Sequence, residues 1–278
     1  MKEIFDKLSA DCSKLTTKRY STSFSFGVYF LNKKIRSPIY SIYSFVRLAD
    51  EIVDSFHSFK KDYLLNKFKH DTFEAIEAGI SLNPILNSFQ KVVNEYNIDH
   101  QLITLFLSSM EMDLIEKEYT PELYDKYILG SAEVVGLMCL KVFTNGDLTE
   151  YEQLKPYAMK LGSAFQKVNF LRDLKADHQS LNRSYFPNIN LALFCDIQKR
   201  AIEIEIEKEF EEALIGIKML HASSRNGVYL SYIYYKKLFG KIKGLTAERI
   251  MNERIRISNG RKVGLMFDCM IRHKLNAI

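Results

Sequence analysis

Two stretches of this chain place oxygen-bearing side chains four residues apart in otherwise apolar sequence. The first runs Arg47-Leu48-Ala49-Asp50-Glu51-Ile52-Val53-Asp54, and the second, residues 166–177, carries Gln166, Asn169, Arg172, Asp173 and Asp177. A helix sets residues four apart one above the other on the same face. Stacked carboxylates repel, so such a stripe is tolerable inside a fold only with a cation against it. The pattern asks for helices long enough to carry each stripe and for a fold that brings positive charge to both.

A lone Asp-x-x-x-Asp pair is common on solvated helix faces. Here Ile42, Phe45, Val46, Leu48, Ile52 and Val53 surround the first stripe, and Val168, Phe170, Leu171 and Leu174 surround the second. Carboxylates in such company do not belong to a free surface. On the first helix Tyr43, Arg47, Asp50 and Asp54 share a face, from which Glu51 is rotated by about 100°. On the second, Asn169, Asp173 and Asp177 form the stripe, with Gln166 one turn ahead and Arg172 offset by one position. Neither set contains His or Cys, so Mg²⁺ or Mn²⁺ suits these hard donors and zinc does not. Mg²⁺ is usually held by one or two carboxylates plus substrate phosphate oxygens. Two facing stripes in an apolar bundle would grip a diphosphate through bridging metal, with the arginines neutralising charge as the diphosphate leaves.

The rest of the chain agrees with an all-α fold. Only 12 Gly and 5 Pro interrupt 278 residues, and helical periodicity is nearly continuous. The pattern predicts a helix over 1–17 and a loop at 20–23. Further helices are predicted at 39–56 with Pro38 in the first turn, 62–79, 84–96, 100–118, 123–144, 149–175, 196–220, 225–243 and 246 to the end. Thr120-Pro121 is a good helix start, Asn145-Gly146-Asp147 a turn, and 178–190 a loop. Residues 201–207 alternate Ile and Glu as a strand would, but they run into strongly helical sequence with no strand to pair with, so they are read as helix. With no repeat, linker or low-complexity stretch, residues 1–278 read as a single all-α domain.

Composition narrows the function classes. Nineteen Phe and 16 Tyr with no Trp give an aromatic interior, serving as core or as an apolar pocket with π faces. The net charge of +5 is uneven, with 12 Lys+Arg against 3 Asp+Glu in residues 225–278. That segment suits phosphate groups or peripheral contact with an anionic membrane, and it matches no nucleic-acid-binding pattern. Cys12, Cys139, Cys195 and Cys269 are scattered with no CxxC, which fits a reducing cytoplasm rather than a zinc site or disulfide framework. No signal peptide is read at the N-terminus, and apolar runs of about ten residues are too short to span a bilayer. GxSxG, P-loop, GxGxxG and HExxH motifs are absent.

The blocks Tyr20–Leu31 and Tyr40–Asp54 resemble the start of the squalene/phytoene synthase family, the head-to-head trans-isoprenyl diphosphate synthases. Tyr127–Cys139 resembles that family's Tyr-x₃-Val-Ala-Gly-Thr-Val-Gly block. Phe165–Asp177 with Asn182–Pro187 resembles its second acidic motif and the Arg-x-Tyr-x-Pro that closes it. The set runs in order over roughly residues 18–262, and the phytoene synthases of bacteria are the most similar members. The resemblance implies an isoprenoid-synthase-type helical bundle around a central cavity. It implies that Asp50 and Asp54 bind Mg²⁺ for one prenyl diphosphate and Asn169, Asp173 and Asp177 for the other. It places Ser21, Ser23, Arg47, Gln166, Arg172 and Arg183 along the substrate site, Tyr43 and Tyr127 near the reacting carbons, and Tyr235 and Arg256 on the diphosphate side. It implies condensation of two geranylgeranyl diphosphates to phytoene, with squalene or dehydrosqualene from farnesyl diphosphate as the alternative. No nicotinamide motif is visible, which favours an outcome without NADPH. A non-catalytic scaffold relative would be expected to lose the acidic ligands, and all are present here. Two departures stand out: Glu51 replaces an Asp, and Glu133 occupies a usual Gly position beside Ser131, where Val is usual. Glu133 could be a ligand, a structural partner or a mark of divergence.

Overall fold

The computed structural model describes residues 1–115, 118–181, 185–187, 189, 193–253 and 255, with the side chains of 176–181 excluded. Twelve α-helices account for nearly all of it: α1 (Lys2–Tyr20), α2 (Thr22–Tyr29), α3 (Lys33–Asp54), α4 (Lys61–Ala78), α5 (Pro84–Tyr96), α6 (His100–Ile115), α7 (Pro121–Ile128), α8 (Val134–Phe143), α9 (Leu148–Leu181), α10 (Asp196–Met219), α11 (Ala222–Lys243) and α12 (Ala247–Asn252). A single π-helical turn, Leu129–Glu133, joins α7 to α8. The alternating segment 201–207 lies inside α10.

Caps explain most boundaries. Asn83 caps α5 with Pro84 in its first position, Thr120 caps α7 ahead of Pro121, and Gly79 ends α4 at φ +68°. These satisfy backbone groups that a helix end leaves open. Several predicted boundaries are corrected. The loop at 20–23 shrinks to Ser21, whose hydroxyl accepts from the Phe24 amide at 3.2 Å and starts α2 at once. Asn32 starts α3 early, so Pro38 lies inside the helix. The stretch predicted as one helix over 123–144 is interrupted by the π-turn. The helix predicted to end at 175 runs on to Leu181, into the expected loop.

Apolar side chains form two clusters. The first is centred on Phe45, which is fully buried and stacked on Phe89 at 3.8 Å with the rings parallel to within 1°. The second gathers Tyr127, Val168, Phe170, Phe210 and Phe239. Fully burying one such ring stabilises the fold by about 1.5–3 kcal/mol, so these clusters dominate the hydrophobic term. Helix α9 bridges them, packing on α8 and the π-turn and on α10. Helices α2 and α11 cross at Gly27 and Gly227: a Cβ on Gly227 would stand 2.5 Å from the Gly27 carbonyl oxygen. Only a missing side chain allows that approach. Among the described residues no helix is long and apolar enough to cross a membrane.

Candidate active site

A cavity of about 280 Å³ lies where the two clusters meet. Its walls come from Phe24 and Val28 on α2, Tyr43 and Val46 on α3, Ser131 of the π-turn, Val135 and Cys139 on α8, Ile217 on α10 and Tyr235 on α11. Helix α9 supplies a continuous strip of lining residues from Leu154 to Asn169, a span of roughly 22 Å at the helical rise. Apolar side chains, including Leu31, Phe143, Leu154 and Leu220, also line the cavity. The Asn169 end carries the polar groups. Among the described residues no Asp, Glu, Lys, Arg or His lines the interior, and burial pushes the Cys139 thiol up to about 12 and keeps it neutral.

Both acidic stripes converge on that polar end. On α3, Arg47 Nη1 donates to Asp50 at 2.5 Å, and its Nη2 donates to Glu51. Glu51, predicted to sit off the ligand face, is thus a partner of Arg47. The Arg47 guanidinium also lies 4.5 Å from the centroid of Tyr20. Burial, Asp54 and Asp113 together push the Asp50 carboxyl up to about 7 against the pull of Arg47. On α9, Arg172 Nε donates to both oxygens of Asp173, at 3.0 and 3.1 Å. Gln166 and Asn169 are within 3.4 Å of each other, and Tyr235 donates to Asn169 at 3.2 Å while stacking on Phe165 at 3.8 Å. Tyr43 stacks on Phe24 at 4.5 Å. Burial raises it to about 12 despite Arg47 and a hydrogen bond to Ser21, and it feels Tyr235 across the cavity. Both phenols therefore remain neutral donors at ordinary pH.

The structure brings Ser21, Tyr43, Arg47, Asp50, Asp54, Gln166, Asn169, Arg172, Asp173 and Tyr235 to or beside this end. Ser23 is half-buried on α2 without lining the cavity. Tyr127 does not line it either; its hydroxyl is directed to Asp113 in an adjoining aromatic cluster. Arg183, Arg256 and the side chain of Asp177 lie outside the described residues. Glu133 also turns away from the cavity. Burial, then Glu209, raise its carboxyl to about 7, while Lys160 and Lys167 pull it down. Lys167 is itself spent on Glu205 and on Glu209 at 2.9 Å, and Ser163 donates to the same Glu209 at 2.9 Å.

The donor set fits a hard divalent ion. Asp50 and Asp54 of the first stripe are carboxylates, and burial, then the charge of Asp54, raise the Asp50 carboxyl. Two buried polar atoms, Arg47 Nε on the stripe and Ser131 Oγ in the cavity wall, have no hydrogen-bond partner among the described residues, as expected where an oxygen-rich ligand docks. Among the described residues, the group of three such side chains close enough to share one ion is His70, Asp71 and Glu74, outside the cavity on α4. Sequence reasoning missed Asp113, a carboxylate of α6 that is 8% exposed and sits within electrostatic reach of Asp50. Its only signal is a charge on the apolar face of residues 102–115.

The relatives match this architecture. A family model for squalene/phytoene synthase matches residues 17–261. Phytoene synthase of Arthrospira platensis is 25% identical over 263 residues, covering 84% of this chain and 84% of that protein. The chloroplastic phytoene synthase 1 of Solanum lycopersicum is 24% identical over 87% of this chain, which spans 62% of that relative's length. Among solved structures, a dehydrosqualene synthase superposes with a TM-score of 0.81 at 18% identity, over 97% of this chain and 98% of that one. Squalene synthase HpnC of Alicyclobacillus acidocaldarius superposes at 0.73 with 19% identity, over 87% and 95%. At those identities the likeness is one of fold. With the sequence match extending across both acidic stripes and the cavity wall between them, the chain belongs to the squalene/phytoene synthase family of prenyltransferases.

Proposed function

We propose that the protein joins two prenyl diphosphates head to head, through a cyclopropylcarbinyl diphosphate, and that it uses geranylgeranyl diphosphate to make phytoene. The observation that carries this reading is the cavity itself: a long apolar tunnel with an arginine-bearing acidic stripe on α3 and another on α9 at one end. Prenyl tails suit the apolar length, and diphosphates suit the charged end. The phytoene synthases among the relatives support the choice of product.

The residues divide the work by chemistry. Asp50 and Asp54 on one side, with Asn169 and Asp173 on the other, would hold Mg²⁺ or Mn²⁺, and Asp177 is proposed to join the second set. Bound there, the ion supplies Lewis-acid neutralisation of the departing diphosphate. Arg47 and Arg172 present guanidinium donors whose carboxylate partners a diphosphate can replace, since both are oxyanions with matching geometry. Tyr43 and Tyr235 stay protonated, so their hydroxyls donate and their rings offer π faces to an allylic cation. Phe24, Phe165 and the aliphatic lining exclude water that would otherwise capture that cation. Ser21 orients Tyr43 through its hydroxyl. The C1-to-C1 junction is completed when the rearranged cation loses a proton, which needs no reductant.

Incubation with Mg²⁺ and either a C15 or a C20 diphosphate, followed by analysis of extracted hydrocarbon, tests the proposal. Phytoene from the C20 substrate is the expected result. A C30 hydrocarbon from the C15 substrate alone would replace phytoene by dehydrosqualene or squalene. Absence of both hydrocarbon and diphosphate release would overturn the enzymatic reading.

A further inference from the structure

Asp113 is a buried carboxylate to which the chemistry above gives no task. It sits on α6, and each of its oxygens accepts a phenol: Oδ2 from Tyr127 at 2.8 Å and Oδ1 from Tyr185 at 3.0 Å. The two phenols approach to 3.4 Å, and Tyr119 packs against both rings, at 5.2 Å from Tyr127 and 5.1 Å from Tyr185. We propose that Asp113 is a positioning residue of the prenyltransfer site, a clamp that holds Tyr127 and Tyr185 and through them sets the cavity wall against both acidic stripes.

Three connections give the clamp its reach. Tyr127 lies in the last turn of α7, just ahead of the π-turn that carries Ser131 and Ala132 into the cavity wall. Tyr185 stacks on Phe170 at 4.2 Å with rings 11° apart, and Phe170 follows Asn169 directly on α9. The charge of Asp113 is felt by Asp50 on α3. One carboxylate thus ties α6, α7 and the segment after α9 to the walls that bear the proposed metal sites. Each oxygen accepts from a phenol, so the carboxylate is engaged with the tyrosine cluster, which favours positioning over metal binding. An amide at this position offers a single acceptor oxygen, so one phenol would lose its partner.

The inference rests on the proposed condensation and predicts where in it the clamp matters. Diphosphate anchoring depends on the arginines and the stripes. The rearrangement after the second ionisation depends on how the walls hold the cation, and small displacements there are costly. The test uses the full chain with Mg²⁺ and the C20 diphosphate. It measures the ratio of released cyclopropylcarbinyl diphosphate to hydrocarbon, a partition that a reduced folded fraction does not change. Asp113→Asn and Tyr185→Phe should each raise that ratio at least fivefold, and the double variant should add less than twofold to Asp113→Asn. Should Asp113→Asn fail to fold, Tyr127→Phe and Tyr185→Phe, which delete one hydroxyl each, carry the measurement. An active wild type whose partition is unchanged in the variants overturns the clamp alone. A wild type that releases neither diphosphate nor hydrocarbon overturns the proposed function and the clamp together.

Discussion

Replacing Glu133 by Gln should stabilise the protein above neutral pH and leave it unchanged in acid. Glu133 closes the π-turn, and its carboxyl is raised from the ordinary 4.5 to about 7, first by burial and then by Glu209, with Lys160 and Lys167 only partly compensating. A carboxyl whose folded pKa exceeds its unfolded one binds its proton more tightly when folded. Folding stability therefore falls as pH rises from the unfolded value towards the folded one, and the full cost persists above about 7. The whole shift corresponds to about 3.4 kcal/mol at 1.36 kcal/mol per pKa unit. The side chain keeps some contact with solvent, so screening reduces the effect to about 1–2 kcal/mol. Urea unfolding of the wild type and Glu133→Gln at pH 4.5, 6 and 8 reads the prediction directly. The two midpoints should coincide at the lowest pH, and the variant should gain steadily up to pH 8. A variant less stable than the wild type at pH 8, or a difference independent of pH, refutes the reasoning. Glu133 would then be a favourable partner of the lysines rather than a carboxyl held in an unfavourable place.

Asp54→Ala and Asp173→Ala, one from each stripe, should each lower hydrocarbon formation by about 10²–10³-fold, the size of effect seen when a pre-organised electrostatic group is lost. Persistence of turnover in both would show that the stripes do not hold the ion. Gly227→Ala should cost about 1–3 kcal/mol by overpacking, since the added methyl meets the backbone oxygen of Gly27, which cannot move aside, as well as the Leu31 side chain, each at 2.5 Å. Denaturant midpoints check it, and an unchanged midpoint would mean that α2 and α11 separate freely.

The parts of this molecule legible in sequence are those that a single helix encodes. The four-residue rhythm of Asp50 and Asp54, and of Asn169 and Asp173, needs only the helical repeat to become a face, and the apolar flanks say which way that face turns. Caps were equally readable at Thr120-Pro121 and Gly79, where local chemistry decides the boundary. Local chemistry also misled. Pro38 looks like a first-turn proline, yet Asn32 starts the helix earlier by accepting from the Lys34 amide at 3.0 Å, and packing of α3 against α1, α5 and α8 carries the helix past the proline.

The π-turn at Leu129–Glu133 is harder to foresee, because one residue of extra slack barely alters the hydrophobic rhythm of 123–144. What singles it out is contact from elsewhere: a Cβ on Gly130 would stand 2.7 Å from the Leu105 carbonyl oxygen, and one on Gly162 2.7 Å from the Ala132 carbonyl oxygen. Asp113 marks the same boundary in the active site. On α6 it is one of two acids, two positions after Glu111, and nothing nearby in sequence marks it as special. Its meaning comes from tyrosines 14 and 72 residues further along the chain. A stripe can be read from its own helix, but a clamp exists only once the helices are packed. If the clamp sets the wall as proposed, then the positions that tune this reaction outside the two motifs are those where one polar group collects donors from distant segments, and Asp113 is the first of these to test.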